Sequence, residues 1–208
     1  MGSAVDYQAI LSERFPVGKR IEGPVSLEIG EVKILFESEW VMFAEVKFVR
    51  HETGTFYAAK SMPILPDCVL TIPVCDDGRL VLVVPFRPGV CNWKWEFPQE
   101  RHEGGSDEEE ANRCVVEEVG IVGKLSSVEV LSRFPSYPDR SNEIVHAFLV
   151  KGAFNFDLLT DTNEIHRIGA FTIPEIFQMI QDGDIVDPVT TTVLMKYLIQ
   201  AERVLITE

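Results

Sequence analysis

The order of strand and helix signals constrains this chain more than any other feature. Strand-forming runs dominate its first two-thirds, and helical patterns enter singly instead of following every strand. A doubly wound parallel sheet needs a crossover helix between successive strands, so this order favours an α+β sandwich. Strands are expected at Lys33–Phe36, Val41–Arg50 and Thr55–Ala59, with Glu52-Thr53-Gly54 as the turn between the last two. Val69–Val74 and Leu80–Phe86 form a second pair, joined by Asp76-Asp77-Gly78, a strong hairpin signal. Ser127–Phe134, Ile144–Val150 and His166–Phe171 complete the strand set. Three helices are predicted. The first runs from Asp107 to Val119, opened by a Ser106/Glu109 capping box and stopped by Gly120. The second opens at Pro174 and closes before Gly183; the third starts at Asp187-Pro188 and reaches about Arg203.

With 208 residues, 46% hydrophobic and 25% charged, the chain can bury a sizeable core without disulfides or structural metal. The apolar run Leu80–Val84 is far too short to span a bilayer, and the N-terminus carries no secretory pattern. A net charge of −14 opposes nucleic-acid binding through a basic surface. Any phosphate ligand would need arginines or metal to overcome that field. Cys68, Cys75, Cys91 and Cys114 show no CxxC spacing, which argues for free thiols in a reducing, cytoplasmic setting and against zinc. No membrane or nucleic-acid partner is expected.

Chemistry concentrates between Trp95 and Ile121: a strand, an acidic loop, then an amphipathic helix ending in Glu117-Glu118 and Gly120. Ala111, Cys114, Val115 and Val119 make its apolar side at helical spacing. Arg113 and Glu117, four apart, can pair; Glu118 shares a side with Cys114. By composition alone, an acidic helix end is a solvated face.

The residue order resembles the Nudix box, G-x5-E-x7-R-E-U-x-E-E-x-G-U. Arg113, Val115, Glu117, Glu118, Gly120 and Ile121 fall on its positions, and Trp95-Glu96-Phe97-Pro98 resembles the lead-in. Other stretches are similar to ADP-ribose and nucleotide-sugar pyrophosphatases: Leu82–Gly89, with Pro85 where they carry glutamine, Ser136–Glu143, the acidic loop Asp161–Ile165, and Asp184–Asp187. The resemblance implies a Nudix α/β/α sandwich over residues 63–208 and an N-terminal β-rich appendage, residues 1–62, that pairs across a homodimer. It also implies hydrolysis of a nucleoside diphosphate linked to another group, ADP-ribose or a nucleotide sugar, with magnesium or manganese. Carboxylates one turn apart can share hard cations, which neutralise phosphate oxygens and lower the pKa of water.

The box is incomplete. Gln99 stands at its opening glycine, Gly105 at its first glutamate, and Cys114 at the glutamate after the arginine. A thiol is a poor magnesium ligand, and a small packing residue is the preferred reading of Cys114. Glu110, one turn earlier, is a poor substitute across that distance. The expected metal ligands are therefore Glu117 and Glu118, with Glu118 and Glu164 as catalytic candidates. Arg87, Glu96 and Glu143 are the ligand-binding candidates, although an Arg87–Glu96 ion pair beneath the site is the preferred reading. Glu143 could equally be an ordinary loop acid, an exposed loop acid is the preferred reading of Glu164, and Trp93 and Trp95 are read as core. A silent nucleotide-sugar-binding or scaffold protein on the same fold is the competing reading.

Overall fold

The computed structural model describes residues 5–38, 41–120, 125–154 and 165–207, the last helix without its final side chains. The chain packs as two compact units, residues 1–67 with 135–144, and residues 68–134 with 145–208.

The first unit is built on an antiparallel sheet in the order β1 (Arg20–Ile21), β2 (Leu27–Glu37), β3 (Met42–Arg50), β4 (Phe56–Ile64). Strand β2 begins six residues before the apolar run Lys33–Phe36, because pairing with β3 carries it through alternating polar positions and a bulge between Ile29 and Glu31. Strand β4 runs through Pro63, which lies on the last strand of the order, where a missing N–H is tolerated. Helix α1 (Tyr7–Arg14) was not expected from sequence: only Tyr7 and Leu11, one turn apart, are buried along it. Its signal is Asp6, whose carboxylate accepts the Ala9 amide. Tyr7 and Leu11 pack with Met42, Ala44, Met62 and Ile64.

Residues 135–144 join this unit through Asn142, whose amide donates to the Leu65 carbonyl and whose side-chain oxygen accepts the Leu65 amide, both at 2.7 Å. Asp67 accepts the Ile144 amide at 3.0 Å. Instead of one cut between residues 62 and 63, the first unit thus extends to Asp67 and recovers a segment distant in sequence.

The second unit is an α/β/α sandwich. Its mixed sheet runs β11 (Ile165–Phe171), β6 (Leu80–Arg87), β5 (Cys68–Val74), β10 (Ile144–Lys151), β9 (Ser127–Pro135). Strand β5 is parallel to β10 and antiparallel to β6; short strands β7 (Asn92–Trp93) and β8 (Gln99–Arg101) flank β6 and β5. The expected Asp76-Asp77-Gly78 turn closes the hairpin, with Gly78 at φ +83°, where a side chain would be strained. Alternation then sorts the core. Leu70, Ile72, Leu80 and Leu82 face Ile176, Val193 and Leu194 of α3 (Ile173–Gln181) and α4 (Pro188–Thr207). Val69, Val81 and Val83 face Ala111, Cys114, Val115 and Val119 at α2 (Asp107–Glu118). Capping boxes open α2 at Ser106 and α3 at Thr172. Gly120, at φ +77°, ends α2 as expected, its amide donating to the Val115 carbonyl. Among the described residues no helix is long and apolar enough to cross a membrane.

Candidate active site

Strand β6 ends at Arg87 and the following turn returns the chain through Glu96, which bridges back to Val83. That return aligns the guanidinium with the carboxylate in a two-point ion pair: Nε donates to one oxygen at 2.8 Å and Nη2 to the other. Glu96 is 1% exposed, so burial pushes its carboxyl pKa up while Arg87 pulls it back. Arg87 itself is half-exposed, with its pKa raised first by the hydrogen bond to Glu96 and further by Asp187 and Glu118 nearby.

Gln99 extends this network in a way the sequence did not reveal. Its amide nitrogen donates to Glu96 at 3.3 Å and to Asp187 at 3.0 Å. Asp187 also accepts the Thr190 amide at 2.7 Å, capping α4 as its Asp-Pro signature suggested. The Thr190 hydroxyl in turn receives the Phe97 amide. The residue at the box's opening position thus ties the lead-in strand to the start of the last helix.

On α2 the acidic side chains do different work. Glu110, 3% exposed, accepts the amides of Glu103 and Gly105 at 3.0 and 2.7 Å and pairs with Arg113 at 2.9 Å. Burial raises its pKa, but the Arg113 and Gly105 contacts outweigh it and leave the carboxyl below its ordinary value. Arg113 also holds Glu100 at 3.0 Å and Glu117 at 3.3 Å and donates to the Arg101 carbonyl. Glu117, half-exposed on this side, has its pKa raised, first by burial and then by Glu100. Glu118 is buried at the helix end. Cys114, one turn before it, has no exposed surface and lies 3.6 Å from the Thr71 hydroxyl. Burial, and then the charge of Glu118, push the Cys114 thiol pKa well up, so it stays neutral.

Neither Glu110 nor Cys114 is placed to join Glu117 and Glu118 as a metal ligand. Among the described residues no group of three or more His, Cys, Asp or Glu is placed to hold a metal. Glu110 is committed to the loop before its own helix, and Cys114 offers a neutral thiol inside an apolar cluster. Glu164 lies outside the described residues, and Glu143 belongs to the other unit, where its amide donates to the Ser141 hydroxyl. The structure thus brings together Arg87 and Glu96, with Glu118 near enough to act on Arg87; Glu117 faces Arg113 and Glu100 instead. Trp95 packs edge-on against Phe171, in keeping with a core role. Trp93 departs from that expectation: it is 43% exposed, edge-on to Phe86 and tilted against His166.

No protein-family model matches the chain. Over 145 residues it is 24% identical to the ADP-ribose pyrophosphatase of Bacillus subtilis (strain 168), covering 66% of this chain and 77% of that protein. A crystal structure of an ADP compounds hydrolase superposes with a TM-score of 0.68 at 16% identity, covering 89% of this chain and 96% of the other. The chain therefore shares the α+β fold of that hydrolase, with a sandwich unit and an N-terminal β-rich unit. At that identity the structural likeness speaks for the fold alone.

Proposed function

We propose that this chain is a Nudix-type hydrolase of impaired activity, whose ligand is a nucleoside diphosphate joined to another group, ADP-ribose or a nucleotide sugar. The sequence similarity to an ADP-ribose pyrophosphatase supports the ligand class. Arg87 supports it independently: Glu96 engages one edge of a half-exposed guanidinium, and its remaining N–H groups can meet a phosphate. The observation that carries the impairment is Cys114, fully buried where the resemblance places a metal-binding glutamate.

Purified protein should bind ADP-ribose by calorimetry and turn it over slowly with magnesium or manganese. Losing one carboxylate ligand should slow the reaction by more than the roughly 10–100-fold typical of changes around the ligands. Turnover at the rate of an intact Nudix pyrophosphatase would sink the impairment. Binding with no turnover on any diphosphate-linked nucleotide would favour the silent binding protein instead. Ligand-free protein should hold magnesium weakly, and a tight calorimetric isotherm would show that another carboxylate completes the site.

The first unit carries exposed aromatics on adjacent strands, Phe36 and Phe43 paired across β2 and β3, and Phe56 and Tyr57 on β4. Exposed apolar surface of this kind is usually covered, and the resemblance points to a second copy of the chain. Light scattering at micromolar concentration should give twice the chain mass. A clean monomer would exclude the homodimer.

A further inference from the structure

The first unit contains a cavity of about 380 Å³, part of whose wall, Pro138 to Asn142, lies on the Ser136–Glu143 stretch. That volume falls in the range of small-ligand sites. Phe15 and Phe48, with Met62 and Pro138, give it apolar walls, and Arg14 and Lys60 bring two cations to it. In a chain of net charge −14, two cations on one apolar cavity stand out. Arg14 donates through Nη2 to Asp67 at 2.5 Å, and its side chain remains 31% exposed. Among the described residues, Nη2 alone of its nitrogens meets Asp67, which leaves Nε and Nη1 to face the cavity side. Lys60 meets Asp139, also on the cavity, in a 2.6 Å pair whose side chains are 47% and 60% exposed. An exposed pair of this kind is weak and screened by solvent, so a competing anion can displace the carboxylate. The polar atoms of Asn142 are already engaged with the Leu65 backbone, which fixes the wall formed by residues 135–144.

We infer that this cavity is an accessory binding site for a small planar organic anion: an aromatic body between the phenylalanines and the proline, and a carboxylate or phosphate on Arg14 and Lys60. Guanidinium–carboxylate pairing supplies direction, and the aromatic walls supply most of the buried area.

The test uses full-length protein labelled with 13C at the methionine methyls, titrated with 1-naphthoate. Met62 is 8% exposed and lies on the cavity, whereas Met179 and Met195 belong to the other unit and serve as controls. The Met62 methyl should shift saturably while the controls stay still, and neutral 1-naphthalenemethanol should leave it unmoved. Arg14→Gln should weaken the titration roughly tenfold, the scale of one charge-assisted hydrogen bond. Lys60→Gln, at an exposed position that should not disturb folding, should weaken it by a smaller factor. An unmoved Met62 methyl, or equal shifts from the alcohol, would overturn the site. Displacement of naphthoate by ADP-ribose would overturn its independence, assigning the cavity to the nucleotide; turnover of ADP-ribose is read separately.

Discussion

Glu110→Ala should destabilise the protein by about 2–4 kcal/mol, because buried amide donors left without an acceptor cost about 1–3 kcal/mol each before the loop relaxes. The carboxylate is 3% exposed and receives two loop amides and Arg113, so truncation leaves both amides without their acceptor, while Arg113 keeps Glu100, Glu117 and the Arg101 carbonyl. The pH dependence has a definite sign. The folded carboxyl pKa lies below its ordinary value of 4.5, so the native state holds fewer protons than the unfolded chain in that window. Its contribution is complete above about pH 4.5 and is lost as pH falls through the lower, folded value. Melts of the wild type and Glu110→Gln from pH 7 to pH 3 should therefore converge on acidification. A constant gap would mean that the carboxylate charge plays no part in holding the loop.

The second large effect concerns position 114. Cys114→Glu puts a carboxylate where there is no exposed surface, among Val69, Val81, Val115 and Phe148, with Glu118 one turn away. In metal-free buffer the variant should lose several kcal/mol, because a buried, unpaired carboxylate must either protonate or pull the helix from the sheet. At about 2–4 °C per kcal/mol for a chain of this size, the melting temperature should fall by roughly 10 °C. Added magnesium or manganese with ADP-ribose should recover part of that loss if the new side chain turns towards Glu118. A gain in pyrophosphatase activity of at least tenfold, beyond the factor typical of changes around metal ligands, would identify the cysteine as the cause of impairment. A variant as stable as wild type in metal-free buffer would show that position 114 faces the cleft and not the core.

Much of the architecture follows from local sequence because the governing forces are local. Asp76-Asp77-Gly78 sets its hairpin through a turn only glycine tolerates well, and Ser106, Glu109 and Gly120 bound α2 through contacts within a few residues. The period of Ala111, Cys114, Val115 and Val119 marks the face that packs on the sheet, and all four are fully buried. Helix α1 escaped notice because two buried side chains in eight residues leave almost no periodic signal.

At the site, the sequence by itself determined which residues could carry charge; tertiary structure decided what each charge meets. Arg87 and Glu96 sit nine positions apart, and only the return of the chain beside β6 makes them a pair. Gln99 looked like a missing glycine, yet the fold places Asp187 within 3.0 Å of its amide from 88 positions away. Glu110, Glu117 and Glu118 read alike as helix acids. One is consumed by the preceding loop, one faces Arg113, and one lies buried beside a neutral thiol, because helical rotation points each into a different dielectric and a different set of partners.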